Sequence, residues 1–366
     1  MAKPIFRADQ VGSLLRPASL LDARDAHIAG RADQAALWRA EDAAVDEVLA
    51  QQQRIGMPIF GDGEMRRDAW QTVFSQAVDG FVERYPVAEL ARSDSIKVPV
   101  QLHTKAVRSR MRPVGRLAQR DAAYLKRYAP GSFKITLPSP ATIARGGFRP
   151  GVTDPSVYPD REALLLDATA IVRDEMSALV GNGAAYIQLD EGFTHHLFGS
   201  AGKDRAAAEQ DLAGDITAEN VCHDAVRSDQ LTVAIHICRG SRVSWLTGTG
   251  GYDWLAERLF DALHVDRFLL EYDTSGIGGF EPLRFLPKGK VAVLGLVSTK
   301  DPRVETRDEL LRRLDDATKF CSIDQLALTS QCGFQGAAAR DGAHLDEATQ
   351  WQKLELVCEL AREVWN

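Results

Sequence analysis

Beyond Gly131 the chain keeps one rhythm, a short apolar run followed by a longer amphipathic stretch, repeated to the C-terminus. The apolar runs are Phe133–Leu137, Ala185–Leu189, Thr232–Ile237, Arg267–Leu270, Val291–Val297 and Gln325–Thr329. They are strand-length and apolar on both faces, which predicts strands buried between two layers. Arg161–Leu179, Ala218–Ser228, Asp253–Leu263, Arg307–Phe320 and Glu347–Val364 lie between or after them with helical spacing. Strands joined through helices run parallel, because the helix carries the chain back to the starting edge. Two earlier runs, Ile5–Ala8 and Met57–Gly61, flank a helix near Ala35–Arg54 and bring the count to eight, which predicts a (β/α)8 TIM barrel. Trp70–Ala129 breaks the rhythm with an alternating run, Ile96–His103, and many arginines. This stretch predicts a hairpin and helix inserted at about 70–130 into a single catalytic domain spanning residues 1–366.

Composition bounds the partners. The 366 residues suffice for one large barrel, and a formal charge of −7 without a Lys/Arg stripe argues against nucleic acid. No apolar run approaches the roughly 18 residues of a membrane span. The segment Met1–Arg7 lacks the apolar core of an export signal. With an odd number of cysteines, five, this favours reduced thiols in a cytoplasm. Cys222, Cys321 and Cys358 fall in helix-like apolar patterns and read as small buried hydrophobes. The arginine-rich segment Arg108–Arg127 reads as a solvated helix face or as a surface for self-association into a homo-oligomer.

Barrel active sites lie where the strands end. After the first strand, Gly12 and Ser13 could offer backbone N–H groups and a hydroxyl to a carboxylate. The second is followed by Gly61-Asp-Gly-Glu64, and the fourth by Asp190 and Glu191 with His195 and His196 close behind. The fifth delivers His236 and Cys238, the sixth Glu271, the seventh Ser298-Thr-Lys300 and the eighth Cys332. Alternate strand residues share a face, so His236 and Cys238 can point at one ion. A nitrogen, two sulfurs and a carboxylate oxygen suit tetrahedral zinc. Blander roles stay open: Asp62 and Asp190 as helix N-caps, Ser298 and Thr299 likewise, and the adjacent histidines as ordinary loop residues.

These motifs together resemble the catalytic barrel of the cobalamin-independent methionine synthase family. The resemblance rests on Val11-Gly-Ser13 with Leu14-Leu-Arg-Pro17, Gly61-Asp-Gly-Glu64, Ile187–Glu191, His236-Ile-Cys-Arg-Gly240, Leu270-Glu271, Phe280–Pro287 and Ser330-Gln-Cys-Gly-Phe334. It covers nearly the whole chain and is closest to the short, single-barrel members. The resemblance implies that His236, Cys238, Glu271 and Cys332 hold Zn2+. It implies that Gly12 and Ser13 hold the carboxylate of an amino-acid substrate, while Glu64 and Asp190 receive its ammonium group. Where full-length synthases carry a catalytic histidine this chain has Lys300, which becomes the aligned candidate for proton delivery, with Asp190 as a second catalytic residue. The segment after the third strand, Leu137–Thr142, lacks the tryptophan that family members stack on folate.

The expected activity is methyl transfer to a small thiol, homocysteine or similar, activated as a zinc-bound thiolate. The methyl donor is a methylated folate or a methyl group delivered by a partner protein. Two other readings accompany it: joining of a small thiol to an epoxide or other electrophile by the same chemistry, and a metal-free decarboxylase-like barrel. Hydrolytic metal barrels favour H-x-H with an open water position, against H-x-C here.

Overall fold

Each strand of the main sheet carries an apolar run that closes on, or is followed at once by, a polar or thiol residue at the same end of the molecule. The computed structural model describes residues 3, 5–82, 85–86, 103–104, 106–198, 205–238, 252–273, 278–338 and 344–365. In chain order the longer strands are β1 Val78–Phe81, β2 Val107–Pro113, β3 Lys134–Pro138, β4 Tyr186–Asp190, β5 Thr232–Ile237, β6 Arg267–Glu271, β7 Val291–Val297 and β8 Leu326–Ser330. Strands β3 to β8 form one parallel sheet in sequential order, with Asp190 opposite His236 and Glu271 opposite Gly295.

Both edges of this sheet are taken by the N-terminal segments. Asp9 N–H donates to the Leu328 carbonyl at 2.9 Å, and Leu328 N–H donates to Arg7 at 2.8 Å. On the other edge Phe60 N–H donates to Ser132 at 3.0 Å and receives Lys134 N–H at 2.8 Å. Leu14 N–H reaches the Gly63 carbonyl at 3.0 Å, so the turns after the first two staves are joined. The fold is the (β/α)8 barrel. The first two staves are thinner than expected, each touching its neighbour through a single bridge, Ala8 with Leu328 and Phe60 with Phe133.

Two apolar cores result. Phe6, Val11, Ile59, Tyr186, Ala234, Leu269, Val293 and Ala327 fill the barrel, while a larger core lies between staves and helices. The interior also holds charge: Asp9 accepts from Lys134 Nζ at 2.9 Å and from the Tyr186 hydroxyl at 2.8 Å, and Arg267 lies 3.8 Å away. The helices follow their sequence signals. Arg161–Gly181 starts on Asp160, whose side chain accepts from Ala163 N–H, and buries Leu164, Leu165, Ala168, Val172, Met176 and Leu179 at helical spacing. Fully burying each large aliphatic side chain in that stripe contributes about 1.5–3 kcal/mol. Arg307–Thr318 starts on a capping box between Thr306 and Glu309.

Several boundaries move. The helix expected at Ala218–Ser228 runs from Arg205 to Val226, because its first half is alanine-rich with weak periodicity. A further helix, Pro140–Gly147, starts on Ser139, with Pro140 at its first position. Cys222 and Cys358 are buried inside helices as expected, whereas Cys321 lies beyond the end of Arg307–Thr318 and is half-buried. Between residues 70 and 130, β1 and β2 pair antiparallel, Tyr85–Pro86 pairs with His103–Thr104, and the helix Gln119–Tyr128 follows. Most of the alternating run expected at Ile96–His103 lies outside the described residues. Arginines of this region are engaged within the chain: Arg110 with Asp167, Arg116 with Glu175 and Arg120 with Glu41. Among the described residues, no helix is long and apolar enough to cross a membrane.

Candidate metal centre

The ends of β5, β6 and β8 converge on one point. His236 lies within β5 and Cys238 one residue beyond it, Glu271 closes β6, and Cys332 follows Ser330, the last residue of β8, by two. One ligand atom from each of these four residues lies within 4.8 Å of all the others. The Cys238 and Cys332 sulfurs are 3.5 Å apart. A disulfide needs about 2.05 Å. Two thiolates on tetrahedral zinc, with bonds of about 2.3 Å, stand roughly 3.8 Å apart. Hydrogen bonds fix the backbone behind each donor. Thr194 donates its hydroxyl to the Cys238 carbonyl at 2.6 Å, Ser330 donates to the Cys332 carbonyl at 2.9 Å, and Glu271 N–H donates to the Tyr252 hydroxyl at 2.9 Å.

The electrostatics suit a cation. Burial, helped by the charge on Lys134, brings His236 down to about 3, so its imidazole is neutral and keeps a lone pair. Neither His236 ring nitrogen has a well-aligned hydrogen-bond partner among the described residues. The contact with Cys332 raises the Cys238 thiol well above its usual range, with burial and the acids Glu271 and Glu191 adding to it. For Cys332 the hydrogen bond from Cys238 is the strongest influence and lowers its pKa, but burial, Glu271 and Glu191 outweigh it and the net shift is upward. Two thiols and two carboxyls thus crowd a buried point, where a dication would draw off the thiol protons. Soft sulfur donors with one imidazole and one carboxylate fit zinc.

Beside this cluster lies a second acidic site. Glu64 sits at φ 58° with its N–H held by Asp62 at 3.0 Å. Its Oε1 accepts from the Thr136 hydroxyl at 2.8 Å and lies 3.3 Å from Arg67, while Oε2 has no hydrogen-bond partner among the described residues. Asp190 accepts from Gln188 at 2.6 Å. Burial, and next the charge on Glu64, pushes its pKa well above the carboxylate range. Two acids sharing a buried site favour a positive guest such as an ammonium group. Gly12 packs against Glu64 and Thr136: a Cβ there would fall 2.9 Å from Glu64 Oε1 and 3.0 Å from Thr136 Cγ2. Ser13 is packed against Gly333, and its carbonyl accepts from Phe334 N–H at 2.8 Å, tying this turn to the segment that carries Cys332.

Lys300 stands at the edge of the donor cluster, 3.6 Å from Glu271 Oε2 and 3.7 Å from Asp273 Oδ2. Ser298 and Thr299 cap no helix; their hydroxyls reach Asp273 at 2.9 Å and Gln331 at 2.8 Å. His196 is buried against Asp215 at 2.9 Å. Two neighbours are not singled out in the sequence. Asp273 lies two residues beyond β6, where the same strand-end search could have found it, whereas Thr136 lies inside β3 and gives no such signal. Glu219 gave no such signal. It projects from the helix Arg205–Val226 toward Gly192 and Ser139, and burial raises its pKa to about 8.

A (β/α)8 barrel with a soft-donor cluster at its strand ends defines a class of metal-centred barrel enzymes. Residues 8–346 match the family described as "Cobalamin-independent synthase, Catalytic domain". The chain belongs to the cobalamin-independent methionine synthase family and is a methyltransferase. It is 34% identical to the protein YxjH of Bacillus subtilis, over 100% of this chain and 96% of that protein. It is 26% identical to the methionine synthase of Pyrococcus abyssi, over 97% and 91% of the two chains. In fold it is similar to a B12-independent methionine synthase from Shewanella sp. W3-18-1 in complex with selenomethionine, with a TM-score of 0.78, 21% identity and coverage of 99% and 98%.

Proposed function

We propose that this chain is a zinc-dependent methyltransferase that activates homocysteine, or a similar small amino-acid thiol, and methylates its sulfur. The convergence of His236, Cys238, Glu271 and Cys332 beside the Glu64–Asp190 pair supports this reading, because a soft-donor cluster able to activate a thiol would then adjoin an acidic pair able to receive an ammonium. The four residues would hold the ion within one catalytic domain. Bound zinc supplies the removal of the thiol proton, leaving a sulfur that remains nucleophilic at neutral pH.

The chain's own residues then orient the thiol. Glu64 and Asp190 hold the ammonium, and the Gly12–Ser13 turn faces the carboxylate, so the side-chain sulfur extends toward the donor cluster. Positioning of this kind supplies a large share of the rate. A methyl leaving a tertiary amine, as in a methylated folate, requires a proton on the departing nitrogen. Lys300, at the edge of the donor cluster, would hold it, with Asp190 as a second candidate only while it is not paired with the ammonium. A methyl donor presented by a partner protein would make the same demand only if its methyl leaves a nitrogen.

X-ray absorption at the zinc edge, with and without homocysteine, tests the reading. The expected change is one additional sulfur and the loss of the oxygen contributed by Glu271. Zinc binding that persists with an unchanged ligand set at saturating homocysteine would overturn it. Cys332→Ser should lose zinc and activity together.

A further inference from the structure

The contact between Lys300 and Glu271 has a use beyond proton transfer. We propose that Lys300 is a positioning residue that receives the Glu271 carboxylate when a substrate thiolate takes its place among the metal donors. This inference rests on the zinc-thiolate reading above.

Three observations carry it. First, Glu271 is the hard donor in a set otherwise made of sulfur and imidazole, so an incoming sulfur displaces the carboxylate first. Second, the Glu271 side chain is 0% exposed, and a carboxylate released there cannot turn to water. A buried carboxylate without a counter-charge is costly, so exchange needs a cation within reach. Lys300 Nζ is already 3.6 Å from Glu271 Oε2, close enough that a small rotation converts the contact into a direct ammonium–carboxylate hydrogen bond.

Third, the turn that presents Lys300 is built to hold it there. Ser298 N–H donates to Glu305 at 2.8 Å, the Ser298 hydroxyl donates to Asp273, and Lys300 N–H donates to Ser298 Oγ at 3.2 Å. Glu305 is in turn held by the buried Lys353 at 2.8 Å. Thr299 binds Gln331, the residue before Cys332, so the ammonium and one of the metal thiols are carried on linked segments. Asp273, 3.7 Å from Nζ on the other side, shares the ammonium while Glu271 is engaged elsewhere. An ammonium has three donors, so it can serve both carboxylates in turn without moving its backbone. No bond to carbon changes in this step. One carboxylate moves from the metal to Lys300 as one thiolate enters, the thiol having released its proton to solvent, and the negative charge so added is matched by the ammonium.

The test uses zinc-loaded enzyme with Lys300→Met and Lys300→Arg. Zinc affinity is measured by competition with a chromophoric chelator, homocysteine affinity by calorimetry, and the zinc sphere by X-ray absorption. Lys300→Met should keep its zinc but bind homocysteine at least about thirtyfold more weakly, the equivalent of losing one partner of a buried charge pair. At the homocysteine concentration that saturates the native enzyme, its zinc should retain the Glu271 oxygen. Lys300→Arg should recover most of the affinity. Native affinity and native sulfur uptake in Lys300→Met, with only kcat reduced, would overturn the inference and leave Lys300 as a proton donor alone. Failure of the native enzyme to gain a sulfur would instead sink the parent reading.

Discussion

Adding a single methyl group at Gly12 probes the substrate pocket directly. An alanine Cβ would lie 2.9 Å from Glu64 Oε1 and 3.0 Å from Thr136 Cγ2, where ordinary contacts begin at 3.4 Å. The neighbours must therefore yield by about half an ångström. Neither yields freely. Glu64 Oε1 is bonded to the Thr136 hydroxyl and faces Arg67, so moving it lengthens two charge-assisted contacts. Overpacking of this kind costs about 1–3 kcal/mol. If Glu64 receives the substrate ammonium, that displacement reaches binding, and KM for homocysteine should rise roughly 5- to 150-fold. Zinc content should stay at the native level, since Gly12 touches none of the four metal donors. Steady-state kinetics with metal analysis on Gly12→Ala checks both. A lowered melting temperature with an unchanged KM would refute the reasoning and reduce the Gly12–Glu64 contact to packing.

Two further outcomes follow from buried charge. Lys134→Met leaves Asp9 inside the barrel without its ammonium partner and should cost about 3–5 kcal/mol in urea denaturation; a loss below about 1 kcal/mol would mean that Tyr186 and Arg267 hold Asp9 unaided. Burial raises the Glu219 carboxyl from about 4.5 to about 8, so folding favours its protonated form, and the stability it contributes is lost as pH rises from the lower value through the higher. Glu219→Gln should therefore match the native protein at pH near 4.5 and exceed it near pH 9 (~9 lies above the shifted value). Parallel denaturation profiles across that range would place the group elsewhere.

The sequence was most legible where one residue ends an apolar run. His236, Cys238, Glu271, Cys332 and Asp190 stood out because polar side chains at the close of buried strands are hard to explain by packing. Thr232–Ile237 and Val291–Val297 coincide with observed strands for the same reason. The first two staves were harder to place, because Ala8 and Phe60 hold their neighbours by single bridges and the flanking residues bend away into loops. Lys134 was hidden in a run that reads as continuous core, since a charge inside a barrel is stabilised only by distant partners such as Asp9. Glu219 was hidden by its helix, where an acid reads as solvent-facing unless tertiary neighbours are known. Ser139-Pro140 was a readable helix start that the neighbouring prolines obscured.

The seam of the ring sets an order of assembly. The stave at Arg7–Asp9 exchanges its hydrogen bonds with Leu328, so it lacks that edge until a segment far downstream has been synthesised. The turn at Gly12–Ser13 rides on that stave. The turn proposed to face a substrate carboxylate is thus fastened by a distant downstream segment, and a ribosome must deliver that segment before this corner of the site can exist.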